Sequence, residues 1–354
     1  TGDAAVTFSA GALGMDFFGS TLFDSSIART NLNSVADVRL IGVDDRADIT
    51  QAPALNGSLV AAGNITFDAA RVYTTTGTGN LQRILENAAG ATNTRTPLPF
   101  QLSALGNSTI TFLGSHIDTR TPLSAGSFLQ INAANVVQNG YLAAPLGRIA
   151  LGSADNPIGT ITFGAGSVTL VSGAGLNVPY GTTTDLSQYF FSPGSASPLT
   201  QLPSGNLRVN AGTIDFAVGS KVVGSGGGDV FAFEFVSGTG GSRDVLSRFN
   251  SDVFSSNDYD PATGQGFQFA DRRQVYALVP SEVAARVALN DPVYSADYGI
   301  GSPSDLYGPS AGLAVTLDGG GGFAAGQYVL MPAHYALLPG AYRIVENTGA
   351  VAPA

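Results

Sequence analysis

Residues 109 to 171 read TITFLGSHIDTRTPLSAGSFLQINAANVVQNGYLAAPLGRIALGSADNPIGTITFGAGSVTLV. Within this stretch, short runs rich in β-branched and aromatic residues recur at Thr109 to Leu113, Phe128 to Asn132, Arg148 to Leu151, Thr160 to Phe163 and Val168 to Val171, and almost every run is closed by Gly, Asn or Ser. Phe112, Ile131, Ala150 and Thr169 follow one another at steps of 19 residues, which suggests a repeat near twenty. A repeat of that length supplies two or three strands of four or five residues with tight corners, too little to enclose a core alone; stacked repeats can enclose one. In a parallel β-helix each coil pairs with the next at about 4.8 Å, and inward apolar side chains form ladders. The triplet Ile-Thr-Phe, at 65–67, 110–112 and 161–163, puts its apolar pair inward and Thr outward. Gly and Asn suit the corners, where a positive φ is cheap for them. The fold class expected is therefore all-β, a parallel β-helix of about 10 coils. A hairpin sandwich is the competing reading, but it shows turn signals every 8 to 12 residues.

Composition agrees with a hydroxyl-covered body. Hydrophobic residues make up 44% and charged residues only 12%, against about 25% charged in an ordinary soluble domain. Gly contributes 46 of 354 residues, and Ser, Thr and Asn fill places where Lys and Glu usually sit. The net charge is −10 and Lys221 is the sole lysine, so no basic stripe exists to neutralise a phosphate backbone, and nucleic acid is not an expected partner. Absence of cysteine removes a disulfide framework and a thiolate metal site. Thr1 to Ala12 lacks the basic start and apolar run of a signal peptide, so if the protein is secreted its signal is expected upstream.

Outside the repeats, residues 1–56 read as N-terminal coils or irregular lead-in, 57–235 as the helix with excursions near 74–107 and 178–204, and 236–354 as an irregular segment with a β-rich C-terminal cap. Asn80 to Asn87, with Leu81, Ile84 and Leu85 at helical spacing, suggests a two-turn helix, and Ser281 to Leu289 a second one capped by Ser281. Pro179, Pro193, Pro198 and Pro203 argue against a central strand between Val178 and Ser204. Alternation returns at Gln274 to Val279, Leu313 to Leu317, Gln327 to Met331 and Ala341 to Val345, a closing β-meander.

The segment Val136 to Gly152, VVQNGYLAAPLGRIALG, with Asn139-Gly140 and Ala144-Pro145 at corners, resembles the repeat of filamentous haemagglutinin-like large exoproteins, the passengers of two-partner secretion. Gly166 to Gly181, Gly226 to Leu246 and Gly322 to Val345 resemble the C-terminal region of one branch of that family, so the likeness runs from about Gly57 to the end. It implies a right-handed β-helix shaft, export through an outer-membrane pore partner, and adhesion or display at the bacterial cell surface. The Asn-Pro-Asn-type motif of the family's secretion domain is absent, Asn156-Pro157-Ile158 being nearest, so an internal or C-terminal piece of a longer chain is expected.

Some β-helices cleave polysaccharides, and such catalysis needs carboxylates or cations clustered on one face. Asp44, Asp45 and Asp48 form the one dense acidic group and read as a solvated loop. Arg243-Asp244 and Arg272-Arg273 beside Asp271 read as loop-ordering ion pairs rather than a lyase base and its uronate clamp. His116 and His334, the only histidines, lack partners at triad or metal spacing. No catalytic residue, metal or cofactor is therefore expected. Asp258 and Asp260, in Asn257 to Asp260 before Gly264 and Gly266, are the one calcium candidate, and the closing glutamate of such a loop is missing, which favours an ordinary turn. The candidates for glycan or partner contact are Tyr189, Phe190 and Phe191 and Tyr294, Tyr298 and Tyr307 near Asp297 and Asp305, although burial beneath a loop is the favoured reading for aromatics of this size. The function expected is structural or adhesive; a polysaccharide-degrading enzyme and a filament subunit stacking end to end are the alternatives.

Overall fold

The computed structural model describes residues 3–44, 55–77, 82–85, 94–97, 99–191, 198–199, 202–236, 241–242, 245–246, 259–260, 265–266, 275–289, 291 and 312–346. Alternating apolar and hydroxyl residues favour strands, because an extended backbone turns successive side chains to opposite faces. The chain is nearly all β, and most of it forms three parallel sheets. Sheet I contains, in spatial order, Ala4–Ala10, Ile27–Ser34, Asn64–Asp68, Thr109–Leu113, Asn135–Gln138, Ile158–Phe163 and Ala211–Phe216. Sheet II contains Met15–Phe18, Val38–Ile41, Val72–Thr74, Tyr141–Ala143, Val168–Leu170 and Lys221–Val223. Sheet III contains Ser20–Phe23, Leu55–Ala61, Phe100–Ala104, Phe128–Asn132, Arg148–Leu151 and Asn206–Val209, with Val43–Asp44 pairing antiparallel at its side. The chain visits I, II and III in turn and then returns to I, so each circuit lays its strands beside those of the one before. The fourth circuit contributes no strand to sheet II, where Val72 pairs directly with Leu142.

Register brings like side chains into columns. In sheet I, Val6, Thr30, Ile65, Ile110, Val136, Ile161 and Ile214 stand opposite one another, as do Phe8, Leu32, Phe67, Phe112, Gln138, Phe163 and Phe216. The three Ile-Thr-Phe triplets thus share one register, as their repetition implies. Phe67 stacks on Phe112 at 5.1 Å between centroids, and Phe163 on Phe216 at 4.7 Å. Inner residues of all three sheets form one core, among them Leu32, Phe67 and Phe112 from I, Val38, Leu40 and Leu142 from II, and Leu59, Leu102, Ile131 and Ile149 from III. Each such side chain stabilises the fold by about 1.5–3 kcal/mol on burial. Gln138 is the polar member of its column; its Nε2 donates to the Val168 carbonyl at 2.9 Å and to Thr169 Oγ1 at 3.2 Å, and its Oε1 accepts from Gly140 N at 3.3 Å.

Several expectations need correction. The step of 19 is not the length of a circuit: Phe112 lies in sheet I, Ile131 and Ala150 in sheet III, and Thr169 in sheet II, and Ile131 stands opposite Leu151. Within one column Gln138 to Phe163 is 25 residues and Phe163 to Phe216 is 53. Only the strands must hold register, so corners and excursions absorb any length. Seven circuits are laid down among the described residues rather than ten. Gly140 is at the corner between sheets I and II as expected, yet for crowding rather than a positive φ, since a Cβ there would lie 2.7 Å from the Leu113 carbonyl oxygen.

The segment expected as a helix at Asn80 to Asn87 instead has Gln82–Leu85 in an antiparallel pair with Thr94–Pro97. Two helical turns are too short to repay nucleation, and an adjacent extended partner wins. Pro179 sits in Asn177–Thr184, the central strand between Gln188–Phe190 and Asp229–Phe233. The sheet tolerates it because pairing with Gln188–Phe190 begins only at Thr182, and the register to Asp229–Phe233 shifts between Pro179 and Thr182. The second expected helix shortens to Ser281–Ala284, with Pro280 rather than Ser281 at the N-cap. The closing meander is an antiparallel sheet ordered Ala314–Leu317, Gly326–Pro332, Val275–Pro280, Tyr342–Val345. It does not cover an end of the three sheets. Its Ala277, Val279, Met331 and Tyr335 bury against Leu123, Ala125, Leu176, Val178, Tyr180 and Phe191, on the flank.

Candidate functional site

The densest polar cluster lies on the outer face of sheet II. Val38, Leu40 and Val72 point into the core, so alternation turns Asp37, Arg39, Arg71 and Tyr73 outward. They are buried nevertheless, beneath the excursion 114–127 and the segment after Val275–Pro280. Arg71 pairs bidentately with Asp37, Nε to Oδ1 at 2.7 Å and Nη2 to Oδ2 at 2.8 Å. Its Nη1 donates to the Arg120 carbonyl at 2.7 Å and its Nη2 to the Ala285 carbonyl at 2.5 Å, so one guanidinium ties a strand, an excursion and the C-terminal body together. Arg39 pairs with Asp16 at 2.5 Å and donates to the Leu13 carbonyl. Around this core, Arg286 Nε donates to the Thr121 carbonyl at 2.9 Å, and Asp291 accepts from the backbone and hydroxyl of Thr76 at 3.0 and 2.8 Å.

Burial raises the Asp37 carboxyl above its ordinary range despite the opposing pull of Arg71. Burial also acts to raise Asp118, but hydrogen bonds from Arg120 and the charge of Arg71 outweigh it and hold the group at about 2. The Tyr73 hydroxyl is buried without a hydrogen-bond partner, and burial raises its pKa. Three carboxylates, of Asp16, Asp37 and Asp118, therefore converge with three guanidiniums, of Arg39, Arg71 and Arg120, each carboxylate in an ion pair. Sequence reasoning missed this cluster. Its members are far apart in the chain and belong to no motif; the one available signal is a charged residue at an outward position between apolar neighbours.

A second feature projects from the flank. Asn177–Thr184 and Gln188–Phe190 form a hairpin whose tip residues Asp185 and Leu186 have φ of 51° and 53°. Side-chain residues rarely adopt this region. Glu234 fixes the tip by accepting from the backbone N–H of Asp185 and Leu186 at 2.8 and 3.1 Å and from the Thr183 hydroxyl at 3.0 Å, and those backbone donors lower its pKa. Leu186 is left 81% exposed, and Tyr189 is exposed behind it. Of the expected contact residues, Tyr189 is thus at the surface and Phe190 half-buried. Phe191 is withdrawn: it is fully buried, edge-on to Tyr180 at 5.4 Å, because it anchors the hairpin to the flank.

The remaining candidates are scattered. Tyr294, Tyr298 and Tyr307, Asp45 and Asp48, Arg243, Asp244, Asp271, Arg272, Arg273 and Asp258 lie outside the described residues. Asp44 ends the short strand Val43–Asp44, and Asp260 lies in a two-residue antiparallel pair with Gln265–Gly266. His116 is exposed in the excursion 114–127, whereas His334 is buried with its ring 5.8 Å from that of Phe233. Among the described residues no group of three or more His, Cys, Asp or Glu is arranged to hold a metal ion. The outer face of sheet I presents Thr7, Asn31, Thr66, Thr111, Val137, Thr162 and Asp215 in one column, in which hydroxyl and amide side chains predominate. No protein-family model, no curated protein and no solved structure matches this chain.

Proposed function

We propose that the three parallel sheets wrap a right-handed β-helix, and that this body is the rigid shaft of a secreted bacterial surface exoprotein of the filamentous haemagglutinin-like kind. One observation carries the reading: the chain circulates repeatedly through the same three sheets, with seven parallel strands in sheet I and six each in sheets II and III, around a shared, ladder-lined core. Such a body gives length and stiffness, since each circuit adds about 4.8 Å and contacts only its neighbours. Export then proceeds through an outer-membrane pore partner, and the flank hairpin with Leu186 and Tyr189 supplies the adhesive contact to a host cell, glycan or matrix. The hydroxyl-rich outer face of sheet I supports a structural rather than catalytic surface.

Binding of the purified chain to host cells and a glycan panel tests this. Binding that Leu186→Asp with Tyr189→Ala abolishes supports the reading; a folded chain that binds nothing overturns it. The convergence of Asp16, Asp37 and Asp118 with three arginines favours a second reading, a polysaccharide-cleaving enzyme. Against it, the carboxylates are already paired and Arg71 and Asp37 are sealed from solvent. Release of reducing or unsaturated sugar from polyuronates, lost in Asp118→Asn, would establish that alternative.

A further inference from the structure

The outward face of sheet III carries a charge opposite to that of the chain as a whole. The net charge is −10, yet the six parallel strands of this sheet contain no Asp or Glu, and their only charged residues are Arg148 and Arg208. Asp44, in the side strand, pairs with Leu55, four strands from Arg208. Leu129, Ile131, Ile149 and Leu151 point into the core, so alternation turns Phe128, Gln130, Asn132, Arg148, Asn206 and Arg208 outward.

Register brings the two arginines together. Arg148 stands opposite Asn206 and Ala150 opposite Arg208, which makes the arginines diagonal neighbours on adjacent strands. The Arg148 guanidinium lies over the Phe128 ring at 5.1 Å from its centroid, a cation–π contact that fixes its direction. Arg208 and Asn206 are exposed. Burial, and then the nearby charge of Arg208, push Arg148 below its ordinary pKa, so the pair repels and an anion between them relieves the repulsion. Beside them the amides hold one another in place: Gln130 Nε2 donates to Asn132 Oδ1 at 3.1 Å and to the Gly152 carbonyl at 3.2 Å, and Asn132 Nδ2 donates to Ser103 Oγ at 3.5 Å. Donors and acceptors set in one flat, fixed array cost little ordering on binding.

We propose that the outer face of sheet III binds a linear acidic polysaccharide, its carboxylates on Arg148 and Arg208 and its hydroxyls on Gln130, Asn132 and Asn206. A guanidinium grips a carboxylate with two parallel bonds, and arginines on successive strands, about 4.8 Å apart across the sheet, suit a charge repeated along a chain. An acidic peptide fits less well, because extended peptides add to a sheet edge through main-chain bonds, whereas this face offers side chains only. Two cations are too few to grip a nucleic acid backbone. The site lies away from the flank hairpin and needs neither that contact nor the exoprotein reading.

Binding of the full chain to immobilised oligogalacturonate tests the proposal, with the methyl-esterified oligosaccharide and polyglutamate as comparators. The free acid should bind, more weakly as salt rises, and esterification should abolish binding. Arg208→Gln, an exposed replacement whose circular dichroism should match wild type, is expected to weaken binding by about 10- to 100-fold. Arg148→Lys, which keeps the charge but loses the two-pronged grip, should weaken it by less. Arg29→Gln, at an exposed arginine of sheet I, and the Leu186→Asp, Tyr189→Ala pair should leave it unchanged. A folded chain that does not bind, an equal loss in Arg29→Gln, or equal binding of polyglutamate overturns the site. Retention in Arg208→Gln with loss in the hairpin pair overturns it too, and leaves the flank contact standing.

Discussion

The two faces of sheet II are built from the same strands and are stabilised by different physics. Inward, Val38, Leu40, Val72 and Leu142 join a dry core in which every circuit repeats the contacts of the last. Outward, Asp37, Arg39, Arg71 and Tyr73 are buried by unrelated pieces of chain, and Arg71 makes bonds that no other circuit repeats. The repetitive face loses one rung when a residue is truncated. The singular face depends on a guanidinium without which Asp37 is a buried, unpaired charge, so it is the more brittle of the two.

Five substitutions test that contrast. Phe112→Ala removes a ring stacked in the sheet I column and is expected to destabilise the chain by about 3–5 kcal/mol; urea unfolding should show one transition moved as a whole. Arg71→Ala is expected to reach a similar size, about 3–5 kcal/mol, but to loosen the flank first. Limited proteolysis should then cut within 275–345 before the sheets, and Asp37→Ala added to Arg71→Ala should restore part of the loss. Equal protection of both regions would mean that the two faces fail together. Gln138→Ala leaves the Gly140 N–H without its acceptor and opens a gap in the column, for about 2 kcal/mol by the same urea measurement. Gln138→Leu should cost less if packing rather than hydrogen bonding dominates at that rung.

The smallest effect is the dependence on pH. Asp118 is held at about 2 against 3.8 when free, a lowered value. Its contribution to stability is thus fully present above about 4 and is lost as the pH falls through 2. Asp37 is raised, so its stabilising effect has the opposite sense, present at low pH and lost as the pH rises through its folded value. Thermal melts of Asp118→Asn should therefore lie below wild type at neutral pH and converge with it between pH 4 and 2. A constant gap across that range would show that Asp118 acts through packing alone.

Most of the inner face was legible in the sequence. The triplets at 65–67, 110–112 and 161–163 fall in one register because period-two alternation is a local property and the core rewards it at every circuit. The apparent step of 19 misled because the spacing between strands is free once corners can lengthen, as the 53 residues from Phe163 to Phe216 illustrate. The clasp was not legible. Alternation marks Arg71 as outward, but only the fold reveals that Ala285, 214 residues away, supplies its acceptor. The hairpin tip was half legible: the aromatics of 189–191 stand out as a cluster, whereas nothing local marks Leu186, whose backbone is held by Glu234, 48 residues on.

The missing strand of the fourth circuit has a geometric consequence. Between the third and fifth circuits, sheets I and III advance by two strand spacings while sheet II advances by one. That side carries one strand spacing, about 4.8 Å, less than the other two. The chain that makes no strand there, the excursion 114–127, is instead bonded by the C-terminal body, Leu123 N to the Arg286 carbonyl at 2.8 Å and Arg286 Nε to the Thr121 carbonyl at 2.9 Å, so an omitted strand becomes an attachment point.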